Sequence, residues 1–350
     1  MAAWRARRAL AERVRGDVVR LAHSGLPAPA FLGAALGRLR KVVPADAAFF
    51  ATADPGTLLF TSAVAEDVLA GATARFLENE FLQEDVNKFV GLAGAARPVG
   101  GLYAATGHAP DRSPRYRDIL RPLGLGDELR AALVTDAACW GFLCLHRARS
   151  APAFAPDEAA FLGRLTTPLA AGLRAALLLD AAGAAAGPDA PGLLVLADDL
   201  SVVAATPLGE RWVAELSDPP AGNGLPPAIW AVVARLRALE RGGAAGAPPA
   251  LAPRVRLRTR GGRWLVAHAS RLAGRGAAGQ TAVILEPARP AEVAPLLLRA
   301  YALTEREAQV AQLVLRGLPT AEIAARLRVT ALTVQQHLKA VFDKTGARPR

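Results

Sequence analysis

Gln335, Gln336 and Lys339, together with Leu332, recur at the spacing of one side of a helix. A glutamine amide can pair bidentately with adenine N6 and N7, and a lysine ammonium with guanine O6 and N7, each contact worth roughly 1–3 kcal/mol of discrimination. The chemistry on offer is recognition of base edges by hydrogen bonding, with no covalent step. Thr330, at the head of the same run, and Thr333 lie where hydroxyls and helix-end amides can hold a phosphate. Arg328, Lys344 and Arg348 would add attraction that is blind to sequence. Val334, His337, Leu338 and Val341 take the inward side, so His337 is expected to be packed rather than reading bases.

Three short helices are needed to hold that face. Thr304-Glu305-Arg306-Glu307 has the spacing of a capping box and starts the first, whose apolar face carries Val310, Leu313 and Val314 and which Gly317 closes. The second begins at Thr320, runs through Glu322-Ile323-Ala324 and ends near Leu327. Arg328, Val329 and Thr330 form the turn, and the third helix runs from Ala331 to about Lys344. In such a helix, tight turn and helix, the second member lies in the major groove. Charge agrees: residues 299–350 carry nine basic against four acidic side chains, a net +5 out of +11 for the whole chain.

The stretch LTEREAQVAQLVLRGLPTAEIAARLRVTALTVQQHLKAVFDKTGARPR, Leu303 to Arg350, resembles the C-terminal helix-turn-helix of LuxR-type bacterial transcription regulators. The resemblance rests on Leu303-Thr304 with Arg306-Glu307, Gly317, Glu322-Ile323-Ala324, Leu327, Val329, Thr333-Val334, His337-Leu338, Phe342, Lys344, Gly346 and Arg348. It implies that Gln335, Gln336 and Lys339 face the bases, as the periodicity does independently. Two positions depart from family habit. Arg328 replaces a usual Gly, so a left-handed backbone there would cost roughly 1 kcal/mol, and Gln335 stands where Lys is frequent. Relatives continue beyond the equivalent of Arg350 into a fourth helix that helps pair two protomers; without it, any homodimer is expected to use the N-terminal domains.

The 350 residues, 52% hydrophobic, suit two or three folded domains and exclude a mostly disordered chain. No uncharged apolar run approaches the roughly 18 residues of a membrane span, and the arginine-rich start has no apolar segment behind it. A cytoplasmic protein without a membrane partner is expected. Only four of 42 basic residues are lysine and alanine abounds, which points to a GC-rich bacterial genome. Cys139 and Cys144 have an odd separation in a strand, which sets them on opposite faces.

The expected organisation is α+β and multidomain: a domain at 1–180, a linker at 181–191, a second domain at 192–288, a linker at 289–302 and the all-helical domain at 303–350. The first contains a helical stretch Asp17–Val43, a hairpin of 47–52 and 57–62 around Asp54-Pro55-Gly56, a strand pair at 127–135 and 138–147, and a long helix at 156–179. With stretches such as EDVNKFVGLA and CWGFLCLHR it resembles a GAF domain. The second, with PGLLVLADDLSVVAATPLGERW and three late strands, is similar to a PAS domain. Both resemblances imply sensory modules and a small-molecule effector, for which Tyr103, Trp140 and Phe142 are candidate cavity residues.

The five histidines show no metal-ligand spacing and neither cysteine has a close partner in sequence, so no metal or cofactor is expected. No nucleophile elbow or phosphate-cradling glycine loop occurs, and an enzyme is not expected. The leading expectation is a sequence-specific DNA-binding transcriptional regulator, with duplex DNA and RNA polymerase as partners. The alternatives are a sensor or adaptor acting through protein contacts with a weakened DNA module, a GAF-type domain that hydrolyses its ligand, and a sigma-factor-like module dependent on core polymerase.

Overall fold

Two five-stranded antiparallel sheets share one strand order in residues 1–288. The computed structural model describes residues 2–180, 189–216, 225–242, 252–274 and 279–347. Strands β1 (Ala47–Ala53), β2 (Phe60–Ala65), β3 (Val99–Gly101), β4 (Leu125–Thr135) and β5 (Ala138–Ala148) lie in the order β2-β1-β5-β4-β3. Strands β6 (Gly192–Leu196), β7 (Val202–Ala205), β8 (Arg254–Arg258), β9 (Trp264–Arg271) and β10 (Thr281–Pro287) repeat it as β7-β6-β10-β9-β8.

Both faces of the first sheet are covered, which is why β4 and β5 are buried along nearly their whole length. One face meets α7 (Pro156–Asp180), itself packed on α1 (Ala2–Ala22) and α2 (Ala28–Leu39). Gly141 permits that approach, since a Cβ there would stand 2.5 Å from the Ala51 carbonyl oxygen and 2.6 Å from Leu173. The opposite face shares a core cluster with Phe76 and Leu77 of α4 (Thr73–Leu82), Phe89 of α5 (Phe89–Gly94) and Tyr116 and Ile119 of a π-helical turn at Tyr116–Leu120. Short helices α3 (Asp67–Ala70) and α6 (Leu102–Ala105) complete the connections.

The two sheets form one compact unit, 1–288, rather than separate bodies. Helix α8 (Pro207–Glu215) packs on β6, while α9 (Pro227–Arg241) packs on α4 and β2 of the first sheet and on β8, β9 and β10 of the second. Every residue from Pro227 to Arg235 is buried, the signature of a helix enclosed all round. Burying side chains such as Ile229, Val232 and Val233 stabilises by roughly 1.5–3 kcal/mol each. Asp54, buried in the β1–β2 turn, accepts from Arg256 Nε at 2.8 Å and from its backbone N–H at 3.1 Å, tying the sheets together.

Several expectations are revised. The periodic stretch Asp17–Val43 is two helices, because Gly25 takes φ +69° and Pro27 leads into the next. The second hairpin strand starts at Phe60, not 57, because the amides of Thr57 and Leu58 bond back to Asp54 and lengthen the turn. Where a linker is expected at 289–302, the chain forms α10 (Pro290–Ala300), whose Val293, Leu296, Leu298 and Ala300 are buried. Of the linker at 181–191, residues 181–188 lie outside the described residues. A bulge opposite Leu133 and Val134 leaves Trp140 without a partner and reverses the alternation, so Cys139 joins Phe142 and Cys144 in one core cluster. Both thiols are buried and free. No helix among the described residues is long and apolar enough to cross a membrane.

Candidate nucleic-acid interface

Residues 289–350 form the second compact unit. After α10 come α11 (Glu305–Leu315), α12 (Thr320–Leu327) and α13 (Ala331–Thr345). Thr304 accepts from the Glu307 amide at 3.3 Å while the Glu307 carboxylate accepts from the Thr304 amide at 2.7 Å, so the capping box forms. Gly317 follows α11 at φ +81°. Val310, Leu313, Ile323, Ala324 and Val334 make the core between the three helices, flanked by Leu318, Leu327, Val329 and Leu338. A second cluster joins Leu298 of α10 to Ala311 and Val341.

The angle between α12 and α13 is set by the turn. Arg328 takes the left-handed conformation at φ 55°, ψ 46°. Its N–H donates to Ala325 O at 3.3 Å and the next N–H, of Val329, to Ala324 O at 3.0 Å, the two bonds of a Schellman ending. Val329 thereby turns into the core, and Thr330 becomes N-cap of α13, accepting from the Thr333 amide at 3.1 Å. The expected strain at Arg328 is present, and the backbone bonds it enables hold it in place.

Gln335, Gln336 and Lys339 are exposed along α13, whereas Val334 and Val341 on the other side are buried. Leu332, 65% exposed, sits on the same outward side as the glutamines. His337 and Leu338 are half-buried, and Arg328 and Thr330 are exposed. Residues 301–350 match the family described as bacterial regulatory proteins, luxR family (GerE). This segment is a LuxR-family helix-turn-helix domain. No curated protein compared with the chain matches it. Within the LuxR-family domain, Lys344 has a partner that sequence reading did not assign it. Its ammonium donates to Glu307 at 2.6 Å and to Ala302 O at 3.2 Å, joining the end of α13 to the start of α11. Burial opposes charge on Glu307, but the Lys344 bond and the Thr304 amide prevail and hold its carboxyl below the usual carboxylate range. Arg348 lies outside the described residues.

The three candidate effector residues do not converge. Tyr103 lines a half-open cleft of about 820 Å³, with Arg97, Asp127, Phe154 and Arg164 among its walls. Burial pushes the Asp127 carboxyl up, although the amides of Phe154, Glu128 and Tyr103 all donate to it. Phe142 is instead fully buried, stacked on Phe89 with centroids 4.4 Å apart, and Trp140 is buried with its indole N–H unpaired. Neither lines that cleft, because β5 runs through the middle of a sheet covered on both faces.

Sequence spacing also missed a polar cluster in the first sheet. Register pairs Glu128 with His146 and Arg130 with Cys144, so alternation sets all four on one face. Cys144 therefore has close partners, contrary to the reading from spacing alone. Arg115, also fully buried, donates to Glu128 Oε2 at 2.8 Å and to Asn79 Oδ1 at 3.1 Å, and Arg130 pairs with Glu80 at 2.9 Å.

Proposed function

We propose that the chain is a sequence-specific DNA-binding transcriptional regulator that inserts α13 into the major groove and reads bases with Gln335, Gln336 and Lys339. The observation carrying this reading is the exposure of those three side chains on a helix whose opposite side is locked into a LuxR-family domain. Thr330, Thr333 and Arg328 sit at the head of α13, where N–H groups, hydroxyls and a guanidinium would meet phosphate. The protein acts by binding rather than catalysis in this account. Residues 1–180 and 192–288 serve as GAF-like and PAS-like sensory modules, a role supported by their shared strand order and by the cleft beside Tyr103, which has room for a small effector. A second copy of the chain, joined through these modules, and RNA polymerase are the further partners.

The test is binding of the intact chain to mixed-sequence duplex DNA across a salt series. The logarithm of affinity should fall with the logarithm of salt by about 0.9 for each phosphate neutralised, giving a slope of roughly −3 to −6. Absence of salt-dependent binding would support the adaptor alternative instead.

A further inference from the structure

The face of the first sheet turned toward α4 and α5 carries three potential ligand atoms within 4.8 Å of one another: a Glu128 carboxylate oxygen, Cys144 Sγ and a His146 ring nitrogen. All three residues are fully buried. Glu128 spends Oε2 on Arg115, and its Oε1 has no hydrogen-bond partner. His146 is stranded more completely, with both Nδ1 and Nε2 unpartnered, and Nδ1 stands 4.0 Å from Glu128 Oε1. Buried polar atoms nearly always find partners, because leaving them dry forfeits their hydration. Three such atoms facing one thiol are the outline of a coordination sphere.

We propose that Glu128, Cys144 and His146 bind one divalent transition-metal ion of the zinc class. A mixed oxygen, sulfur and nitrogen set suits a borderline cation. Tetrahedral ligands at 2.0–2.3 Å lie roughly 3.3–3.6 Å apart, so the set would close by about 1 Å on the ion and leave one position open. Charge around the site is balanced before an ion enters, with Arg115, Arg130 and Lys88 against Glu80, Asp85 and Glu128. A divalent cation that displaces the Cys144 proton adds +1, so binding has to come from the donor atoms themselves. Two guanidiniums oppose it: Arg115 holds Glu128 Oε2 at 2.7 Å, and Arg130, paired with Glu80 and 3.8 Å from the Phe89 ring centroid, brings its Nε to 3.8 Å from Glu128 Oε1. Lys88 is half-buried beside the cluster and directs its ammonium to the Gln83 carbonyl at 2.7 Å and to that of Asn79. Without metal, burial keeps both soft donors neutral, pushing the Cys144 thiol up to about 12 and the His146 imidazole down to about 4. Full enclosure implies loading as the chain folds.

The test uses the intact chain produced in cobalt-supplemented medium, and is independent of DNA binding. The expected result is close to one cobalt per chain by elemental analysis, with a thiolate-to-cobalt charge-transfer band. Cys144→Ser should abolish that band, and His146→Gln should lower the cobalt content, whereas Cys139→Ser should change neither. Circular dichroism checks that each variant folds. If Cys144→Ser does not fold, the wild-type metal content and band decide alone. Far less than one metal per chain, a missing thiolate band, or a band that survives in folded Cys144→Ser overturns the proposal.

Discussion

Replacing Arg328 with glycine should stabilise the helix-turn-helix while removing one of its charges. A non-glycine residue in the left-handed region costs roughly 1–2 kcal/mol, and Arg328 occupies that region at φ 55°. Glycine relieves this but adds freedom to the unfolded chain, which returns roughly 0.4–1 kcal/mol. The net gain is about 0.5–1 kcal/mol, and it can be realised because the bonds of the turn come from the backbone of Arg328 and Val329, not from the guanidinium. Native-state amide exchange in the intact chain reads this locally. Protected amides of α12 and α13 should exchange roughly 2–5-fold more slowly in Arg328→Gly. Arg328→Ala removes the same charge but keeps the Cβ, so it should not slow exchange. If alanine protects as much as glycine, relief of charge repulsion is the cause and the strain account fails; faster exchange in Arg328→Gly refutes it outright.

Glu307 should make the domain acid-sensitive. Its carboxyl is held below the usual range, so the stabilisation is complete above the unfolded value near 4.3 and is lost as pH falls through the folded value. A pH series of amide exchange in α11 should show this loss below about pH 5, with Glu307→Gln flattening the dependence. Asp54→Ala removes the buried carboxylate that accepts from Arg256 and should cost about 1.5–3 kcal/mol in urea unfolding of residues 1–288; a change below about 0.5 kcal/mol would deny the latch between the sheets. Gly192→Ala should destabilise by roughly 1–3 kcal/mol, since its Cβ would stand 2.5 Å from Gly209 N, and an unchanged melting temperature would contradict that packing.

The helix-turn-helix was legible in the sequence because its determinants are local. The Thr304–Glu307 box, Gly317 and the periodicity of 331–341 all act within one or two helical turns, and the helices start and end within a residue or two of where those signals put them. Local spacing carries no such signal wherever a distant partner decides. Lys344 reads as a free cation until Glu307, 37 residues earlier, is brought beside it. Glu128 and His146 are neighbours only through strand register, and a bulge near Trp140 undoes the simple alternation that would separate Cys139 from Cys144. Strand β3, three residues long, is too short to leave a periodic signal. Helix α9 shows its apolar composition in sequence, but not that two sheets enclose it.

Selection of binding sites from random duplexes by the intact chain asks whether the outward side of α13 reads base edges. The expected outcome is one enriched motif for the wild type, altered preferences at particular positions for Gln335→Ala, Gln336→Ala and Lys339→Ala, and the unaltered motif, more weakly bound, for Arg328→Ala. Recovery of the same motif from all four variants, or no motif from the wild type, would contradict it.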